Sequence, residues 1–217
     1  MRILIGILLC VSISAHAQTR EKKYDLIKMM NDKTLTLCAK CNAEAIVIQD
    51  KKAFQLAVSE GNGFAWLTGE TFGNGIIELD MKGKDQLQQS FLGIAFHAVD
   101  EKQFDVVYFR PFNFRAEDPV RKIHAVQYVS APEYGWDRLR KEHNGQYEKG
   151  INPPPDANEW FHAKIVVDAP HISVYVNGST TPSLVVDQLQ TRGTGKIGLW
   201  NDGPMPADFA NLVITYK

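Results

Sequence analysis

"WFHAKIVVDAPHISVYVNG", Trp160 to Gly178, is the stretch from which the rest of the chain can be read. Phe161, Ala163 and Ile165 fall on one face and His162 and Lys164 on the other, the two-residue period of a half-buried strand. His171 sits in a turn, Trp160 packs at the strand start, and Asn177-Gly178 is a turn signal because both residues tolerate positive φ.

The same pattern continues in both directions. Towards the C-terminus come "SLVVDQL" (183–189), "GKIGLWNDG" (195–203) and "DFANLVITYK" (208–217). Towards the N-terminus lie "AIVIQD" (45–50), "AFQLAVS" (53–59), "GFAWLTG" (63–69), "NGIIELDMKG" (74–83), the ribbon 93–114 and "HAVQYVSA" (124–131). In 74–83, Ile77, Leu79 and Met81 alternate with Glu78, Asp80 and Lys82. Many short strands with polar or glycine-bearing turns imply an all-β chain folded as a two-sheet antiparallel sandwich or jelly roll. Residues 19–37 are polar and mixed, with room for one short helix before the domain. Residues 131–158 read as a long non-strand excursion with a helical turn around Trp136–Glu142.

The first seventeen residues, "MRILIGILLCVSISAHA", have a basic start, an apolar stretch and an A-x-A ending at Ala17, the features of a secretory signal peptide. Cys10 follows Leu9, where lipoprotein processing needs a small residue. The expected product is exported, periplasmic or extracellular, and no later apolar run is long enough to span a bilayer. With 24 Lys+Arg against 25 Asp+Glu there is no basic excess to hold nucleic acid. The organisation expected is a signal peptide (1–17), an N-terminal segment with a C-x-x-C (18–42) and one sandwich domain (43–217). In an oxidising compartment Cys38 and Cys41 would pair with each other. A redox C-x-x-C normally opens a helix in a βαβ setting, and the setting here is strand-like.

The Trp-led strand 160–168, the strand ending V-N-G at 176–178, G-K-I-G-L at 195–199 and F-A-N-L-V-I at 209–214 together resemble the last strands of the concanavalin A-like lectin/glucanase superfamily. With "FGNGIIELDM" (72–81) and "SFLGIAFHAVD" (90–100) the likeness covers residues 43–217. Within that superfamily the chain is most similar to laminin G-like domains and to the bacterial 3-keto-disaccharide hydrolase family. The resemblance implies two curved sheets with a carbohydrate-binding concave face. It also allows a test, because family 16 glucanases of this fold carry E-x-D-x-E on one strand. Here the run is Glu78-Leu-Asp80-Met-Lys82, so the second Glu, which donates the proton, is replaced by lysine and standard retaining chemistry is disfavoured.

The ribbon "GIAFHAVDEKQFDVVYFRPFNF" (93–114) supplies the candidate site. A loop over Val99–Lys102 sets Ala98 opposite Gln103, His97 opposite Phe104, Ala95 opposite Val106 and Gly93 opposite Tyr108. Leu92, Ile94, Phe96, Val107 and Phe109 then face the core. Phe91, Gly93, Ala95, His97, Phe104, Val106, Tyr108 and Arg110 share the other face, a shallow floor with polar edges. A slip of one residue would reverse the two faces. The strand at 124–131 adds His124 and Tyr128 on one face and Gln127 on the other. Since Ile197 and Leu199 point inward, Trp200 faces outward beside Asn201. Aromatic plates with Arg, Asn, Gln and His around them are what a sugar requires. The expected ligand-binding set is His97, Tyr108, Arg110, Asn113, His124, Gln127, Tyr128, Trp136, Trp200 and Asn201, with the 131–158 excursion folded over it.

Each candidate has a plainer reading beside it. His97 would cap its turn through Asp100, and Arg110 would pair with Glu117 or Asp118. No cofactor or metal is expected, although Asn201, Asp202 and Asp208 offer oxygens of the kind that hold Ca²⁺. Three functions compete: an exported lectin-like saccharide-binding protein, a laminin G-like interaction domain, and a hydrolase or lyase acting on 3-keto glycosides. For the last, His97 or His124 is the candidate base and Arg110 or Tyr108 the oxyanion partner.

Overall fold

A computed structural model describes residues 19–217; the expected signal peptide, its expected cleavage site and Cys10 lie outside the described residues. The chain opens with β1 (Arg20–Tyr24), helix α1 (Leu26–Asn31), β2 (Leu35–Leu37), β3 (Cys41–Ile48) and β4 (Lys51–Val58). There follow β5 (Asn62–Phe72), β6 (Gly75–Lys82), β7 (Phe91–Ala98), β8 (Phe104–Phe109), α2 (Pro119–Lys122) and β9 (Val126–Ala131). Then come α3 (Trp136–Glu142), β10 (Glu148–Lys149), β11 (Phe161–Asp168) and β12 (His171–Val176). The last strands are β13 (Leu184–Asp187), β14 (Gly195–Asp202) and β15 (Ala207–Tyr216).

They form two antiparallel sheets, as the strand pattern implied. One runs β13-β12-β11-β6-β15-β4-β3, with β1 also on β15; the other runs β10-β9-β8-β7-β14-β5-β2. Alternation places Phe54, Ile77, Leu79, Met81 and Ile165 of the first sheet against Leu92, Ile94, Phe96, Val107, Phe109 and Leu199 of the second. Burying these side chains drives the sheets together. Glu78 and Asp80 therefore point out of the first sheet, where Asp80 meets Lys51, His162 and Asn211. Lys82 is buried on the same strand and donates to the Asn158 carbonyl.

The segment before residue 43 is part of the sandwich, contrary to the division expected. β1 pairs with β15 from Arg20↔Tyr216 to Tyr24↔Leu212, and β2 pairs with β5. Helix α1, capped by the Asp25 side chain on the Lys28 N–H at 2.9 Å, carries the chain from one sheet to the other. The Cys38 and Cys41 sulfurs are bonded at 2.07 Å. Among the described residues no helix is long and apolar enough to cross a membrane.

The 93–110 ribbon takes the expected register, with Gly93↔Tyr108 and Ala95↔Val106. Its one departure is at His97. β14 sets Lys196 opposite Ala98 but Gly198 opposite Ala95, so Phe96 and His97 together face Ile197 in a β-bulge. His97 has φ +50°, and its ring is turned into the protein with no exposed surface. Its Nε2 donates to the Gly73 carbonyl at 2.8 Å, and Nδ1 lies 3.1 Å from the Asp105 carboxylate. Asp105 also accepts from Arg192 at 2.6 Å and from Ser130. Neither the groove position nor the Asp100 cap expected for His97 is found; Asp100 caps the turn through the N–H groups of Lys102 and Gln103.

Candidate functional site

The outer face of the second sheet is apolar too. Phe64, Trp66, Ala95, Phe104, Val106, Tyr108, Val129 and Trp200 form a second buried cluster there, partly covered by Leu139 of α3. Where the cover ends, a cleft of about 660 Å³ opens. Phe91, Val106, Tyr108 and Trp200 form its floor. Gly93 is the register partner of both Tyr108 and Trp200. With no side chain between them, the two rings meet at 5.0 Å, tilted by 49°. Trp200 is anchored by its Nε1 donating to Asn62 at 3.0 Å.

The 131–158 excursion supplies one wall. Its helical turn falls at Trp136–Glu142, and Trp136 and Arg140 lie one turn apart on the same face, with the guanidinium 5.3 Å from the indole centroid. Trp136 is 55% exposed and Leu87, across the opening, 53%. The excursion also contributes β10, a short strand paired with β9, and this places Glu148 behind the wall.

Charge gathers at that end. Arg110, buried beside Pro111, donates to the His124 carbonyl at 3.1 Å, to Glu148 at 3.4 Å, and to Tyr108 and Gln127. Arg140 grips Glu148 with two bonds of 3.1 and 2.9 Å. Burial opposes the charge on Glu148, but the hydrogen bonds from Arg140 and the charges of Arg110 and Arg140 outweigh it and hold the carboxyl below its ordinary range. His124 Nδ1 lies 2.8 Å from Glu148 Oε2, while the ring forms part of the cleft wall. Burial lowers the His124 pKa despite that carboxylate, so the ring is neutral at neutral pH. Burial likewise pushes the Tyr108 phenol up to about 12, so it stays protonated and donates to Gln127 at 2.6 Å.

Of the expected set, Tyr108, Arg110, Asn113, His124, Trp136 and Trp200 meet in this cleft. His97, Gln127, Tyr128 and Asn201 do not line it. Gln127 pairs with Tyr108 in the ladder and braces it from beneath. Tyr128 pairs with Val107 and is fully buried in the core, so Gln127, and not Tyr128, shares the cleft side. The alternation that tied Tyr128 to His124 fails because His124 precedes β9, in the turn after α2. Asn201 points inward and donates to the Leu56 and Met205 carbonyls at 3.1 and 3.3 Å. Asp208 is held by Gln55 on the other sheet, whereas Asp202 lines the cleft, so the three oxygens suggested for Ca²⁺ serve separate roles. Among the described residues no three His, Cys, Asp or Glu groups converge as metal ligands. Arg110 pairs with Glu148, not with Glu117 or Asp118.

Arg140, Glu148 and Arg121 were not anticipated, and Asp202 was considered only as an oxygen for Ca²⁺. The i,i+4 spacing of Trp136 and Arg140 was a usable signal. Nothing local marks Glu148, whose role depends on the pairing of β10.

The profile of the family described as the 3-keto-alpha-glucoside-1,2-lyase-like domain matches residues 20–215. Among solved structures, the carbohydrate binding module CBM66 from Bacillus subtilis is similar at TM-score 0.56 and 17% identity, over 82% of this chain and 93% of that one. A protein of unknown function with a galectin-like fold from Bacillus subtilis gives 0.58 and 15%, over 92% and 100%. A Bacillus licheniformis beta-glucanase gives 0.52 and 16%, over 93% and 99%. At these identities the likeness is one of fold.

Proposed function

Because the chain belongs to the 3-keto-alpha-glucoside-1,2-lyase-like domain family, we propose that its cleft binds a 3-keto glycoside and cleaves it by elimination across C1 and C2. The observation that carries this reading is the 2.8 Å approach of His124 Nδ1 to Glu148 Oε2, with the ring at the cleft wall. A ketone at C3 makes the C2 proton acidic, so the reaction needs a neutral base and a positive charge near the developing enolate oxygen. A proton carried on Nδ1, 2.8 Å from the Glu148 carboxylate, would leave His124 the Nε2 lone pair for the C2 proton. Arg110 spends its donors on protein atoms and acts as a fixed charge. Arg140 Nη1 has no protein partner among the described residues and is the donor for the enolate. The tilted Tyr108–Trp200 floor offers the C–H face of a sugar ring its apolar support.

The test is release of p-nitrophenol from its 3-keto-glucoside, corrected for the uncatalysed rate. His124→Ala is expected to lose about a hundredfold or more in kcat with circular dichroism unchanged. Unchanged turnover in that variant would overturn the reading. Saturable saccharide binding without any wild-type turnover would leave the lectin-like role in its place.

The same reading places the mature protein outside the cytoplasm, after cleavage at Ala17. The bonded Cys38 and Cys41 sulfurs support an oxidising compartment. Mass spectrometry of protein recovered from the native host should find Gln18 as the first residue, and a retained Met1 would contradict it.

A further inference from the structure

We infer that Asp202 is the acid that protonates the departing glycosidic oxygen, acting from the side of the Tyr108–Trp200 floor opposite His124. The inference rests on the elimination reading above and adds the second half of its proton chemistry.

The placement follows from the sheet. Asp202 is the last residue of β14, two positions after Trp200, so strand alternation puts both on the cleft face. It pairs with Phe91 on β7 and with Asn62 on β5. Beyond Phe91 stands Arg110, its guanidinium 6.0 Å from the Phe91 ring, and beyond that His124. From β14 to the start of β9 is three strand spacings, about 14 Å between backbones at about 4.8 Å each. That span leaves room for a pyranose ring between the two side chains.

The two carboxyl groups of this region are in opposite situations. Glu148 is clasped by two arginines and faces a histidine. Asp202 lines the same cleft but its side chain has no cationic partner among the described residues; its hydrogen bond there is from the Gly203 N–H to Oδ1 at 2.8 Å, made in a turn where Gly203 has φ +90°. Burial without a compensating charge raises its pKa, so it holds its proton at a higher pH than an ordinary aspartate. The Tyr108 phenol feels the charge of Asp202 together with those of Arg110, Glu148 and Arg140, and His124 and Arg121 line the same cleft. A carboxylate clasped by two arginines beside the His124 base, and a second carboxyl without a cationic partner across the same cleft, give the two sides different proton affinities.

The step balances without any co-reactant. His124 Nε2 takes the C2 proton, and the C2–H electron pair moves into the C2=C3 enolate, whose oxygen Arg140 faces, and then returns to form the C1=C2 bond. The C1–O bond breaks, and the departing oxygen takes the Asp202 proton and leaves as an alcohol. Asp202 is left as carboxylate and His124 as imidazolium, and proton exchange with water resets both.

The test compares Asp202→Asn with wild type on the 3-keto-glucosides of p-nitrophenol and of methanol. Nitrophenolate departs without a proton and methanol does not. The variant should therefore stay within a few-fold of wild type on the first substrate and lose about a hundredfold or more on the second. Equal losses on both, or no loss on either, would overturn the role of Asp202. His124→Ala should lose both substrates alike, and a wild type inactive on both would overturn the elimination reading and this inference with it. Should Asp202→Asn fail to fold, wild type decides through a series of aryl 3-keto-glucosides. A rate independent of leaving-group pKa is expected, and a steep fall as that pKa rises would overturn the inference.

Discussion

Gly93 and Tyr108 are cross-strand partners so close that a Cβ on the glycine would stand 2.7 Å from the Tyr108 Cα and 2.1 Å from the Val107 carbonyl oxygen. These are backbone atoms, which cannot rotate away as a side chain does. Gly93→Ala should therefore destabilise the fold by about 1–3 kcal/mol and separate the Tyr108 and Trp200 rings. Urea unfolding and the fluorescence of a ligand-titrated cleft would show both effects. A variant of wild-type stability and affinity would mean that the close approach has no structural consequence.

His97 is a structural residue. Removing its ring leaves the buried Asp105 carboxylate with Arg192 and Ser130 and deprives the Gly73 carbonyl of its donor. His97→Ala is expected to cost about 3 kcal/mol of stability. Below its melting point it should keep turnover within a few-fold of wild type, because the ring lies outside the cleft. A normal melting curve with lost turnover would return His97 to the list of catalytic groups.

Acid sensitivity should arise in part on the first sheet. Burial works against the charge on Asp80, but hydrogen bonds from His162, Lys51 and Asn211 outweigh it and hold the carboxyl well below its ordinary range. The folded value is depressed, so its contribution is complete above the unfolded value of about 3.9 and is lost as pH falls through the folded one. Asp80→Asn should be less stable than wild type by about 2 kcal/mol at neutral pH. The two should converge in strong acid. A gap that persists into strong acid would show that the loss is not one of charge.

The Cys38–Cys41 link closes a very short loop, so its effect on the unfolded chain is small. Replacing both cysteines by serine should cost about 2 kcal/mol or less, leaving a folded protein at room temperature. Chemical denaturation of the double variant measures this directly, and loss of folding would show that the link does more than restrict the chain locally.

How much of this could be read from residues alone differs between ladder and site. The alternation in 74–83 and 91–110 was sufficient for strands and faces, because a two-residue period hides Leu92, Ile94, Val107 and Phe109 together, and the short Val99–Lys102 loop then fixed the register. It was also sufficient to send Trp200 and Tyr108 to the outer face. It failed at His97, where one extra residue in β7 reverses the side that alternation assigns. It failed again at His124, which lies in a turn where alternation has no meaning.

By itself the sequence determined an all-β sandwich, the sheet face that would carry a site, and the helical turn whose Trp136 forms part of the wall. Only the tertiary structure decided which polar groups meet there. Glu148 joins His124, Arg110 and Arg140 because β10 pairs with β9, and Asp202 joins them because β14 runs between β5 and β7. The physical reason is range. Strand periodicity is a local consequence of burying one face, whereas a charged cluster is assembled by contacts between residues far apart in the chain, and no short stretch of sequence records them.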